Sequence, residues 1–217
     1  MQLQAQEIET PQLADDSLEI SLFAAEPMIQ QPIGCTFDKQ GRLLVIESHT
    51  HFRPESWQGP KHDQIVILTD TDADGRADKR EVFFDETDMT MDVATHPDGS
   101  IYLSTRNEIL RLRDEDGDGK PEKVDRKLVW LETTGRYPHN GLSGLAFDAK
   151  GDLYFGMGEN LGAAYTLTGS DGRSEQDEGE GGNIWHVTRD GAQLKRIATG
   201  FWNPFGVCVD AAGNVFA

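Results

Sequence analysis

The stretch Gly144-Leu-Ala-Phe-Asp-Ala-Lys-Gly-Asp-Leu-Tyr-Phe155 decides the fold, because the chain repeats it in outline. It appears as Gly34-Cys-Thr-Phe-Asp-Lys-Gln-Gly-Arg-Leu-Leu-Val45, as Asp92-Val-Ala-Thr-His-Pro-Asp-Gly-Ser-Ile-Tyr-Leu103 and as Gly206-Val-Cys-Val-Asp-Ala-Ala-Gly-Asn-Val-Phe-Ala217. Each copy is a short apolar run, a tight turn closed by glycine, and a second apolar run, which is the pattern of a β-hairpin. The turn glycines Gly41, Gly99, Gly151 and Gly213 lie 58, 52 and 62 residues apart.

A second, more polar hairpin follows each of the first three copies. Gln64–Thr69 faces Lys79–Phe84, Glu108–Arg113 faces Lys123–Trp130, and Asn183–Val187 faces Gln193–Ala198. Two hairpins make four antiparallel strands, the unit of a propeller blade. No segment combines helical periodicity with helical length. The expected fold is therefore an all-β propeller of four-stranded antiparallel blades, present as about three and a half blades. Residues 1–24 read as a lead-in and 25–217 as a partial propeller, with blade hairpins at 34–46, 92–104, 144–156 and 206–217. At roughly 57 residues per blade, six blades need about 340 residues, so the 217-residue chain reads as the N-terminal part of a longer protein.

Composition narrows the partners. Lys+Arg total 20 against 38 Asp+Glu, a formal charge of −18, which opposes binding to nucleic acid or to an anionic membrane surface. No apolar run is long enough to span a bilayer, and residues 1–17 carry no signal-peptide pattern. Cys35 and Cys208 sit in strand-like runs, where buried, inert thiols are expected.

Two acidic loops carry calcium spacing. In Asp70-Thr-Asp72-Ala-Asp74-Gly75-Arg76-Ala-Asp78-Lys-Arg-Glu81, carboxylates fall at positions 1, 3, 5, 9 and 12, with glycine at 6 and the Arg76 carbonyl at 7. The second loop places Asp114, Asp116, Asp118, Glu122 and Asp125 in the same register, with Gly119 at 6 and the Lys120 carbonyl at 7. Ca²⁺ takes six to eight oxygens, and this register wraps a chain around it. Strands rather than helices flank both loops, so the reading is a structural Ca²⁺ site on a hairpin, or a solvated acidic turn.

Among the histidines, His96 reads as a turn residue and His186 as a surface or half-buried residue of an outer strand. His49 and His51 enter a long loop, with no third metal ligand to assign. His139, in Thr133-Thr-Gly-Arg-Tyr-Pro-His-Asn-Gly-Leu-Ser-Gly144, enters an inner hairpin, where propeller loops build a binding face. Histidine there suits general-base chemistry near neutral pH, or a plain turn.

Three pieces resemble the soluble quinoprotein glucose/sorbosone dehydrogenase superfamily of six-bladed propellers. They are His139-Asn140-Gly141 with the hairpin that follows, Gly156 to Glu159, and Asn203-Pro204-x-Gly206. The resemblance implies oxidation of a sugar or polyol with pyrroloquinoline quinone (PQQ), His139 as the base, and Asn140, Trp202 and Asn203 facing the cofactor. Where those dehydrogenases place an arginine before Asn-Pro, this chain has Trp202. Over nearly its whole length, through Glu47-Ser-His-Thr-His51, Thr105 to Arg113 and Gly200-Phe-Trp-Asn-Pro-Phe-Gly206, the sequence also resembles the N-terminal propeller of planctomycete membrane-bound-dehydrogenase proteins of the PVC-type haem-binding class. That resemblance implies an extracytoplasmic location and a c-type haem domain or cytochrome as partner. The alternative is a non-catalytic, calcium-stabilised propeller that binds glycan or protein, with Trp202 as a stacking platform, or a fragment of a larger haem-linked dehydrogenase.

Overall fold

In the computed structural model, residues 11–135 and 140–217 are described; His139 lies outside them. The first blade pairs β1 (Pro32–Phe37), β2 (Leu43–Glu47), β3 (Asp63–Thr69) and β4 (Lys79–Thr87) in that order. The second is β5 (Thr90–Thr95), β6 (Ile101–Thr105), β7 (Glu108–Arg113) and β8 (Lys123–Thr133). The third is β9 (Leu142–Phe147), β10 (Leu153–Met157), β13 (Gly182–Val187) and β14 (Lys195–Phe201), and β15 (Cys208–Val209) with β16 (Val215–Phe216) begins a further hairpin. All pairings are antiparallel. The protein is thus an all-β chain of propeller blades.

One hairpin was not foreseen. β11 (Tyr165–Gly169) and β12 (Ser174–Asp177) leave the third blade and extend the second to six strands, β11 pairing with β8 from Tyr165↔Thr133 to Gly169↔Val129. Nothing in Tyr165-Thr-Leu-Thr-Gly169 signals which sheet it joins, because strand partners are set by tertiary packing.

The sequence of β3 shows how blades stack. Side chains alternate across a strand, so Ile65 and Ile67 face the second blade and join Leu44, Ile46, Val93, Leu103 and Leu110. Val66 and Leu68 face the other way, under Phe23, Met28 and Ile29 of the lead-in. Both faces being covered, the strand is a continuous apolar run. Between the second and third blades, Tyr102, Val129, Phe155 and Trp185 are fully buried.

The inner strands β1, β5, β9 and β15 lie side by side around the axis. Asp92 links two of them, its Oδ2 accepting from Leu145 N at 2.7 Å, while burial pushes its carboxyl above the usual range. Cys35 and Cys208 are exposed, contrary to expectation. They lie on β1 and β15, the two ends of this row, where only one inner-strand neighbour is present among the described residues. His96 is more than a turn residue: it is buried, packs edge-on against Phe147, and its Nε2 lies 3.2 Å from Gly151 O of the next blade.

Strand alternation sorts the loops. Turns 38–42, 70–78, 96–100, 114–122 and 148–152 fall at one end, here the lower. Loops 48–62, 88–89, 106–107, 158–164 and 202–207, and residues 134–135 and 140–141, fall at the upper end. Among the described residues, no helix is long and apolar enough to cross a membrane.

Candidate functional site

The upper end is assembled by glycines that admit other backbones. A Cβ on Gly156 would collide with the carbonyl of Pro204, and one on Gly182 would stand 2.6 Å from Pro204 Cδ and 2.9 Å from Trp202 O. The segment Trp202–Pro204 therefore lies directly on the third blade, fixed also by Glu159 N donating to Trp202 O at 2.9 Å. Gly158 sits beneath two amides. Its Cβ would meet Asn203 Oδ1 and come within 3.2 Å of Asn140 Oδ1. Asn140 is buried, and its Nδ2 has no partner among the described residues; the same holds for Glu159 Oε2.

Arg106 brackets the segment that carries His139. Its Nη2 donates to Gly135 O at 2.7 Å and its Nε to Asn140 O at 3.1 Å. Gly141 packs on the Arg106 backbone, where a Cβ would come to 2.7 Å of Arg106 Cα. Burial lowers the pKa of Arg106 from the usual guanidinium value; its donors are aimed at carbonyls rather than at a ligand.

Beside these amides is a cavity of about 810 Å³. Its wall carries Phe52, Trp57 and Phe205, the amides of Gln31 and Asn203, and His49 and His51, with no Lys, Arg, Asp or Glu among the described residues that line it. The long loop 48–62 forms one side. The buried Asp63 carboxylate holds that loop, accepting from His49 N (2.7 Å), Thr50 N (2.8 Å) and Thr50 Oγ1 (2.9 Å), and from Thr90 N (2.8 Å) of the next blade. Trp57 donates from Nε1 to Pro60 O at 2.8 Å, and its ring lies so close over Gly59 that no Cβ fits there.

The structure thus brings Asn140 and Asn203 together and joins Asn203 to the His49–His51 loop. It does not bring Trp202 with them: that side chain is 73% exposed and does not line the cavity. The aromatic wall is instead Trp57. A sequence signal for it existed, in a long loop that bears two histidines, since loops of that length are usually functional.

At the lower end, oxygens of Asp114, Asp116, Asp118 and Glu122 gather within 4.8 Å of one another, as do those of Asp70, Asp72 and Asp78. Asp74 caps Arg76 N at 2.8 Å, and Asp118 caps Lys120 N at 2.9 Å. Asp74 is the main cause that raises the pKa of Asp72 above the usual value. The residues at position 12 stay out of both clusters. Glu81 pairs with Lys79 at 2.7 Å, and Asp125 pairs with Arg111 at 2.8 Å and with Arg113 at 3.0 Å. After position 9 the chain enters a strand rising about 3.3 Å per residue, which carries position 12 away, whereas an EF-hand helix would bring it back.

Over residues 4–217 the sequence matches the model of a family described as Domain of unknown function (DUF7133). The chain belongs to that family. No curated protein is matched by sequence. The DUF7133 chain is similar in structure to a calcium structure of a Carbohydrate-Active Enzymes Family AA12 protein from Trichoderma reesei, with TM-score 0.60 and 15% identity, over 90% of this chain and 46% of that one. It is also similar to the holo form of the pyranose dehydrogenase PQQ domain from Coprinopsis cinerea, with TM-score 0.50 and 16% identity, over 86% of this chain and 43% of that one. The DUF7133 chain therefore spans less than half the length of these two structures, and at such identities the likeness establishes the fold alone.

Proposed function

We propose that the chain is part of a dehydrogenase-like propeller whose upper cavity takes a sugar or polyol, with His139 as the general base for its oxidation. The observation that carries this is the convergence of Asn140 and Asn203 over Gly158, at the edge of a cavity of about 810 Å³, within the size range of small-molecule sites. The Asn203 amide, which lines the cavity, can meet hydroxyl groups, and Arg106 holds the carbonyls of Gly135 and Asn140. His139 would accept the proton of the substrate hydroxyl.

PQQ, which the family resemblance implies as hydride acceptor, carries three carboxylates and calls for cationic partners. Among the described residues the cavity lining contains no Lys or Arg, and Trp202 stands where the dehydrogenases that the sequence resembles have an arginine. The described residues do not fit that cofactor, and no step is derived through it. The described wall, aromatic and amide-lined, favours a second reading, a propeller that binds glycan without oxidising it.

Dye reduction over a panel of aldoses and polyols, with and without added PQQ, separates the two. Turnover that disappears in His139→Ala, with substrate binding retained, supports oxidation. Saturable sugar binding with no turnover under any condition contradicts it and leaves the binding propeller.

We also propose Ca²⁺ at the two lower loops, with a structural role. The support is the shared register and the gathering of four and three carboxylates respectively. A hard cation relieves their mutual repulsion.

A further inference from the structure

The structure assigns a divalent-metal site of the zinc class to Asp148, Asp152 and His186, on the face of the third blade turned away from the second. It lies at the lower end, apart from the upper cavity and from both acidic loops, and it depends on the reading of neither.

Asp148 and Asp152 open and close the turn between β9 and β10, and His186 stands on β13, directly opposite Tyr154 of β10. Alternation along the strands puts Tyr154 and His186 on the face opposite Phe155 and Trp185, which are buried against the second blade. One ligand atom from each of Asp148, Asp152 and His186 lies within 4.8 Å of the other two, and His186 Nε2 is 3.7 Å from Asp152 Oδ2. All three residues are half-buried. The Tyr154 ring packs edge-on against the imidazole, with centroids 4.7 Å apart, and so steadies its plane.

The repeat shows what sets this turn apart. In the first copy Asp38 Oδ1 accepts from Gln40 N and Arg42 N, and Oδ2 accepts from Arg42 Nε at 2.5 Å. In the fourth, Asp210 Oδ1 accepts from Ala212 N and Asn214 N, and Oδ2 accepts from Asn214 Nδ2 at 2.7 Å. Asp148 makes the same backbone cap, from Lys150 N at 2.8 Å and Asp152 N at 3.0 Å. The position that supplies the side-chain donor in those two copies is here a second carboxylate, Asp152. Among the described residues, no Lys or Arg pairs with either aspartate. The third copy therefore sets two like charges together where the others place a charge and a donor, and it adds an imidazole nitrogen beside them. Their field reaches Tyr154: after burial, the Asp148 and Asp152 charges are what raise its phenol above the usual value.

The donor set selects the ion. Ca²⁺ takes six to eight oxygens, whereas one imidazole nitrogen with two carboxylates suits Zn²⁺ and its neighbours. Two carboxylates and a neutral imidazole balance a doubly charged ion, and three protein ligands leave a position for water. Bound there, the ion ties the inner turn to β13.

Calorimetric titration of the full chain with Zn²⁺, in excess Ca²⁺ that competes for the acidic loops, tests this on wild type, Asp152→Asn and His186→Phe. Asp152→Asn recreates the donor arrangement of Asn214 and Asp210, and His186→Phe keeps a ring against Tyr154. Both are thus chosen to preserve the fold, which urea unfolding verifies. Wild type should take up Zn²⁺ at a site that each variant weakens by about tenfold or more, and Zn²⁺ should raise Tm in wild type but not in Asp152→Asn. No saturable uptake up to about 1 mM Zn²⁺ overturns the site and leaves a plain pair of His186 with Asp152. Uptake that either variant leaves unchanged also overturns it, because the ion then lies elsewhere, as at His49, His51 or His62.

Discussion

Asp63 shows what one buried carboxylate can do in a propeller. It accepts from His49 N, Thr50 N and Oγ1, and Thr90 N, so it ties a long upper loop to two blades. Asp63→Ala leaves those buried donors unpaired, and we expect a loss of about 3 kcal/mol by urea unfolding, together with a weakened upper site. Gly158→Ala should spare most stability but disturb ligand binding, because its Cβ enters the space of the Asn203 and Asn140 amides; calorimetry on the variant checks this. Asp98 makes a pH prediction. Burial pushes its carboxyl up, but hydrogen bonds from Ser100 and His96 outweigh that and bring it down to about 2. A depressed carboxylate contributes stability above its unfolded value near 3.8 that is lost as pH falls toward 2. The stability difference between wild type and Asp98→Asn should therefore be constant above about pH 5, shrink as pH falls through about 2 and vanish by about pH 1, measured by urea unfolding across that range. A difference that grows with acidification would contradict the assignment.

At the scale of elements, legibility follows locality. The four inner hairpins and their polar partners were readable because turn chemistry and period-two alternation are local properties, as in Asp148–Asp152 with Gly151 between them. The β11–β12 hairpin was not, since its attachment to β8 depends on an edge that only the folded second blade offers. In both acidic loops the carboxylates at positions 1, 3 and 9 gather while position 12 does not, because the EF-hand spacing assumes a helix where this chain has β4 and β8. Ca²⁺ should raise Tm by several degrees, and Asp72→Asn with Asp116→Asn should abolish the increase without lowering affinity at the upper cavity. An EDTA-treated protein that melts at the same temperature as the Ca²⁺-loaded one would refute those sites.

For the whole molecule, the division between ends is the main result. Chain alternation sends acidic loops to the lower end and the Asn140, Asn203 and His49 loops to the upper. The sequence showed the repeat, and hence the two ends, but not that residues as distant as Trp57 and Phe205 share one cavity; that follows from the curvature of the blade row, which no local pattern encodes. Burial at the blade interfaces makes the row cooperative. Phe155→Ala, at the fully buried contact between the second and third blades, should cost about 3–5 kcal/mol and lower stability of the chain as a unit in urea unfolding.

The most direct test of this account is a hydrogen-exchange map of the full chain, recorded with D-glucose and separately with Ca²⁺. The account predicts that glucose slows exchange in residues 48–62 and 202–207, and that Ca²⁺ slows it in 70–78 and 114–122. Glucose protection confined to the lower loops, or Ca²⁺ protection confined to the upper ones, would contradict the separation of ligand site and metal sites on which the account stands.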